Sequence, residues 1–120
     1  MKRILSPHVN IYKFPITAIS SISTRLSGLY LTAGYIGFGS CCLFDIDCIK
    51  YYKSLDYYTK KMANYSFIIP TTYHTYGGIR HIIWDKYPKL LTNNKVAGTS
   101  YLLFGITIGS SVIVENYLNG

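Results

Sequence analysis

The sequence predicts an all-α integral membrane protein, a single membrane-anchor domain over residues 1–120 with three transmembrane helices. Three observations carry that prediction. Two runs of nineteen residues, 26–44 and 96–114, hold no charged side chain. A third run, 65–84, is apolar apart from one short polar motif. Hydrophobic residues make up 49% of the chain and charged ones 14%, and the charges gather between the runs. At about 1.5 Å per residue each run covers roughly 28–30 Å, the thickness of a hydrocarbon core. The alternative is a soluble bundle of three buried helices. Such helices normally carry a polar stripe, whereas the first and third runs relieve their apolar character mainly with Ser, Thr, Gly and Tyr.

The N-terminal segment, residues 1–20, opens with Lys2 and Arg3 and passes at once to Ser6-Pro7-His8. No apolar stretch precedes Leu26, so no cleavable leader is expected. His8 reads as a loop residue or a contact to a soluble partner. Pro15 suits the first turn of a helix, where its missing N–H is no loss. Residues 45–63 place Tyr51-Tyr52 and Tyr57-Tyr58 among lysines, which fits an interfacial segment with aromatic anchors or a plain tyrosine-rich loop. Pro70 interrupts the second run, and Pro88 with Asn93-Asn94 marks the turn before the third. Gly34, Gly37 and Gly39 in the first run, and Gly105-x-x-x-Gly109 in the third, permit close helix approach or are ordinary glycines of a span.

Charge sets the expected orientation. Lys2, Arg3, Lys13 and Arg25 precede the first run, and Arg80, Lys86, Lys89 and Lys95 surround the second turn; these eight basic residues share a side. The other side has Lys50, Lys53, Lys60 and Lys61, diluted by Asp45, Asp47 and Asp56. The N-terminus is therefore expected on the cytoplasmic side of a bacterial inner membrane, or in the matrix of a mitochondrion. Thirteen tyrosines with many Ile, Asn and Lys suggest an AT-rich coding sequence such as an organellar genome. The net charge of +7 reads as topology and contact with the lipid bilayer, and nucleic-acid binding is not expected. All five acidic residues fall in flanks, so carboxylate acid–base chemistry has no support. Cys41, Cys42 and Cys48 lack metal-type spacing and read as small fillers near a span end.

The chemistry concentrates in Tyr73-His74-Thr75-Tyr76-Gly77-Gly78-Ile79-Arg80-His81-Ile82-Ile83-Trp84-Asp85. Ionisable groups at membrane depth are costly and persist mainly where they have a functional partner. His74 and His81 are seven residues apart, so they share a helix face, about 10 Å apart along the axis. Gly78 lies on that face too, where a missing side chain leaves room for something flat. A neutral imidazole, a gap and a polar end make a face that suits haem; a helix-packing histidine is the plain alternative for His74, and an interfacial one for His81. The two are too far apart to bind one iron, so a second chain must complete a two-histidine site.

A second constellation opens the first run. Ser21 and Arg25 are four residues apart and share a face. Arg25 is charged in any protein setting, and its alternative role is snorkelling to headgroups. A hydroxyl and a fixed cation at the membrane edge can bind a carbonyl or a haem propionate. By the expected topology they lie on the same membrane side as Arg80 and His81.

Three blocks resemble a known family in order and spacing: Ser6-Pro7-His8-x-x-Ile11-Tyr12, then Ser21-Ile22-x-x-Arg25-x-Ser27-Gly28, then His74-x-x-x-Gly78-Ile79-Arg80-His81-x-x-x-Asp85. They are similar to the cytochrome b subunit of succinate dehydrogenase, respiratory complex II. The resemblance implies a two-subunit membrane anchor holding a flavoprotein subunit and an iron–sulfur subunit, and this chain as half of that anchor bundle. It implies electron transfer from succinate to ubiquinone, and a haem b held by one histidine from each anchor subunit. Carried over, His74 is the axial ligand of the haem iron, and His81 and Arg80 lie on the propionate side. Ser21 and Arg25 line the ubiquinone pocket, and Asp85 is the motif's closing acid. The implied location is the mitochondrial inner membrane. A fumarate reductase anchor, or a structural scaffold without haem, are the alternatives. One position departs from the family: Thr24 stands where a histidine commonly precedes the arginine, which puts more of any propionate neutralisation on Arg25, Arg80 and His81.

Overall fold

A computed structural model describes residues 13–119, so the Ser6–Tyr12 block and His8 lie outside the described residues. The described chain is all helical. It runs α1 (Ile16–Leu43), α2 (Cys48–Ser54), α3 (Tyr57–Lys86), a single 3-10 turn (Pro88–Leu90) and α4 (Asn93–Asn119). The three long helices pack together, with α3 in contact with both α1 and α4.

Each long helix outruns the apolar run expected for it. α1 starts at Ile16, ten residues before the predicted span, because Pro15 sits just outside the helix with extended backbone. Its C-terminus is closed by Asp45 in the left-handed region, φ 54°, which turns the Ile46 N–H back onto the Cys41 carbonyl at 2.9 Å. The aspartates of the tyrosine-rich segment are helix punctuation. Asp47 accepts from the Lys50 N–H at 2.9 Å and starts α2, and Asp56 accepts from the Tyr58 N–H at 3.2 Å and starts α3. That segment is therefore a short helix and a helix start, with Tyr51, Tyr57 and Tyr58 exposed.

Pro70 does not end the second helix: α3 continues through it for 30 residues. Packing on α1 and α4 outweighs the one backbone bond that proline removes. The expectation of three spans is met only in part. Among the described residues, α1 and α4 are long and apolar enough to cross a membrane. α3 has the length but not the composition, because Lys60, Lys61, Asn64, His74, Arg80, His81 and Asp85 all lie on it.

The packing is inverted relative to a soluble bundle. Ser20, Ser100 and Glu115 are fully buried, with Thr24, Ser27, Thr107 and Ser111 nearly so, while Leu29, Ile36, Ile82 and Ile113 are each about two-thirds exposed. In water such a surface is an aggregation hazard; facing lipid it needs no cover, and small hydroxyls inside let the helices approach. The Ser and Thr of α4 thus do form a stripe (Ser100, Thr107, Ser111), but it faces inward. Glu115, read from the sequence as the flank closing the third run, ends that stripe and takes a long hydrogen bond of 3.5 Å from the Asn64 amide.

Gly37, Gly39, Gly105 and Gly109 have open space where a Cβ would stand, so none of them seats a helix of this chain. At the far end of α1, the Cys48 thiol is pushed up to about 11, first by its hydrogen bond with Cys41 and then by desolvation. It remains a protonated thiol at neutral pH. No cluster of potential metal ligands forms among the described residues.

Candidate functional site

The site is built on the middle of α3, where successive residues serve opposite sides of the helix. Tyr73, Gly77 and Arg80 are buried against the neighbouring helices, while His74 and His81 are exposed. The paired glycines divide accordingly. A Cβ on Gly77 would stand 3.0 Å from both Cγ2 and Oγ1 of Thr24, so this glycine is the point where α3 meets α1. A Cβ on Gly78 would meet nothing of this chain, which keeps the space beside His74 open.

His74 is held from behind. Its Nδ1 lies 3.1 Å from the Thr24 carbonyl oxygen and 3.3 Å from Ser27 Oγ. Ser27 Oγ itself donates to the Thr24 carbonyl at 2.7 Å. A carbonyl oxygen can only accept, so Nδ1 carries the proton and the lone pair sits on Nε2. That is the arrangement of a metal-binding imidazole whose tautomer is set by a backbone acceptor. The ring also fills the notch over Gly28, where a Cβ would approach Cε1 to 2.8 Å. Thr24 therefore acts through its backbone carbonyl and its fit against Gly77, while its hydroxyl donates to the Ser20 carbonyl at 3.0 Å.

Arg80 points away from the histidine face into the space between the helices. One terminal nitrogen donates to Ser20 Oγ at 2.8 Å, the other to Ser100 Oγ at 3.0 Å, and the guanidinium lies 4.5 Å from the Trp84 ring centroid. Tyr73 Oη donates to the Ser20 carbonyl at 3.1 Å. One cation thus ties α1, α3 and α4 together, and only its Nε is buried without a hydrogen-bond partner among the described residues. His81 stays outside, edge-on to Trp84 at 5.4 Å between centroids. The Arg80–Ser20 bond fixes the level of Arg80 and His81 at the end of α1 that bears Ser21 and Arg25. Ser21 is half-buried and Arg25 exposed, and neither takes part in the Arg80 network.

Ser20, Tyr73, Ser100 and the Thr24 carbonyl are partners that spacing did not single out. Ser100 had a signal, since it opens the inward stripe of α4. A serine within a run of serines, such as Ser20, has none until a neighbouring helix is docked. Removing the cation tests the tie. Arg80→Leu forfeits two charge-assisted hydrogen bonds, each ranging from about 0.6 kcal/mol in membrane bundles to about 1.5 in soluble proteins. The expected loss of stability is about 1–3 kcal/mol, read as a lower thermal-inactivation midpoint of the detergent-solubilised protein. An unchanged midpoint would mean that Arg80 does not hold the bundle.

Comparison with known proteins identifies the frame in which these residues sit. Residues 1–114 match the family described as succinate dehydrogenase/fumarate reductase transmembrane subunit. A mitochondrial succinate dehydrogenase cytochrome b560 subunit of Dictyostelium discoideum is 35% identical over 112 residues, covering 90% of this chain and 58% of that protein. The mitochondrial cytochrome b560 subunit of Sus scrofa is 35% identical over 120 residues, covering 92% of this chain and 68% of that one. The cytochrome b556 subunit of Paracoccus denitrificans is 28% identical over 87 residues, covering 69% of this chain and 67% of that one. The chain thus spans a little over half the length of the Dictyostelium protein.

Proposed function

Because the chain belongs to the succinate dehydrogenase/fumarate reductase transmembrane-subunit family, we propose that it is the cytochrome b membrane-anchor subunit of a succinate:ubiquinone oxidoreductase. Its three long helices all cross the membrane in this reading, α3 included, since the polar groups of α3 face the bundle or a partner. The N-terminus lies in the matrix of a mitochondrion, on the side that carries the eight basic residues. A second anchor subunit, an iron–sulfur subunit and a flavoprotein subunit complete the complex.

The observation that carries the proposal is His74: Nδ1 tied to the Thr24 carbonyl, the ring seated over Gly28, and open space at Gly78 on the same face. These residues fit a b-type haem. His74 would hold the iron through Nε2, Gly78 would leave the macrocycle room, and a histidine of the second anchor subunit would complete the site. When bound, the haem would supply a one-electron carrier. His81 stands at the propionate end of the face. Arg80 adds positive charge to that end from inside the bundle, its guanidinium held by Ser20 and Ser100.

Ser21 and Arg25 form this chain's part of the ubiquinone pocket. The hydroxyl and the guanidinium donate to a quinone carbonyl, and the Arg25 bond strengthens as negative charge develops on that oxygen during reduction. Arg25 is exposed, and it becomes enclosed when the partner subunits assemble over it. Protons come from water or a partner residue: Glu115, the one fully buried acid among the described residues, lies near the C-terminus of α4, while Ser21 and Arg25 lie near the start of α1.

A reduced-minus-oxidised spectrum of the complex, purified in mild detergent, tests the reading. A b-type band is expected, and its absence would leave a scaffold subunit in its place. The seat of His74 gives a graded check. Gly28→Ala pushes a methyl group to within 2.8 Å of Cε1, so the ring must shift. Haem retained per complex should fall about tenfold, the lower end of the effect of disturbing a ligand's supporting shell. Full retention would show that the histidine does not need this seat.

A further inference from the structure

On the side of α3 away from the histidine face, α3 and α4 part to form an open groove of about 560 Å³. Its walls are Ile79 and Ile83 from α3 and Leu102 and Ile106 from α4. Gly98, which has nothing within 4 Å of its would-be Cβ, leaves the α4 wall open. At 100° per residue, Ile79 and Ile83 lie roughly 150° around α3 from the His74–Gly78–His81 face. The second anchor subunit of the proposed function belongs on that histidine face, so the groove looks outward to lipid.

Its charge is one-sided. Two cations, Arg80 and Lys95, belong to the lining, and no carboxylate does. Lys95 is exposed in the first turn of α4, where unpaired N–H groups favour an anion. Lys86 at the end of α3 and Lys89 in the following 3-10 turn are exposed as well, and Asp85 falls on the histidine side of α3. An amphiphile with an apolar tail and an anionic head matches both parts. We propose that this groove is a binding site for an anionic phospholipid, with its acyl chain between α3 and α4 and its phosphate at Lys95 and the start of α4. The choice of outward face rests on the anchor-pair reading given above.

The intact complex, stripped of lipid in detergent, is mixed with micelles of equal phosphatidylglycerol and phosphatidylcholine, re-isolated, and its bound lipids counted by mass spectrometry. The wild type should retain phosphatidylglycerol in preference. Lys95→Ala should lower that preference about fivefold, the effect of one basic side chain near an anionic surface. Gly98→Phe should reduce bound lipid of both kinds by filling the groove. Lys95 is a surface residue, so its variant carries the test where Gly98→Phe fails to assemble. Equal retention of the two lipids by the wild type, or an unchanged preference in Lys95→Ala, would overturn the proposal. So would cross-linking from a photoreactive residue at position 102 to another subunit or to quinone instead of lipid. A complex that lacks the haem band but keeps the lipid preference would support this site while refuting the haem reading.

Discussion

His74→Ala is expected to strip the b-type haem from the complex, leaving at least about tenfold less reduced-minus-oxidised signal than wild type. The argument is one of coordination. Among the described residues, His74 and His81 are the only histidines, and they lie about 10 Å apart along α3. Only His74 has its ring fixed from behind, with Nδ1 against the Thr24 carbonyl at 3.1 Å and Nε2 left for a metal. No other imidazole of the α3 face can replace it. His81→Ala, by contrast, should keep the iron and change only the band position or the midpoint potential. Imidazole added to the His74→Ala complex should restore part of the band if the loss is of a ligand and not of the fold. A band of wild-type height in His74→Ala would end the ligand assignment.

Arg25→Ala is expected to lower succinate-to-quinone activity by about 10- to 100-fold while leaving succinate oxidation with a soluble dye unchanged. A hydrogen bond to a charged group is worth about 1.5–3 kcal/mol, and each 1.36 kcal/mol is a factor of ten in rate. Arg25 is exposed and outside the Arg80 network, so its removal leaves the helix contacts in place. The haem band should persist, which separates this variant from His74→Ala. Arg25→Lys should recover part of the activity, since a point charge remains without the planar donor fork. If Arg25 only reaches for lipid headgroups, quinone reduction will not change in either variant.

Arg25 and Arg80 differ in how much of their role helical spacing specifies. Both lie near apolar runs, and both were expected to converge on one end of the bundle. The Arg80–Ser20 bond brings Arg80 to the end of α1 that bears Arg25. Their surroundings differ completely. Arg80 is locked among three helices by Ser20, Ser100 and Trp84, whereas Arg25 is open to whatever assembles on α1. Helical spacing assigns a residue to a face, but it does not say which face a neighbouring helix will cover. The same limit applies to Gly77 and Gly78, adjacent in sequence and opposite in use. It applies to Thr24 as well. The side-chain identity of Thr24 suggested a weakened propionate contact, while the structure employs its backbone carbonyl, which every residue type possesses.

What the sequence alone determined is the helical class, the two uncharged runs, and the shared helical face of His74, Gly78 and His81, because hydropathy and the 3.6-residue period are local properties. What only the tertiary structure decided is which groups meet. The His74 tautomer depends on a carbonyl fifty residues away, the Arg80 tie on hydroxyls twenty and sixty residues away, and the burial of Glu115 on Asn64 across the bundle. A hydrogen bond requires two groups within about 3 Å, and that proximity is set by helix packing, which no single segment encodes.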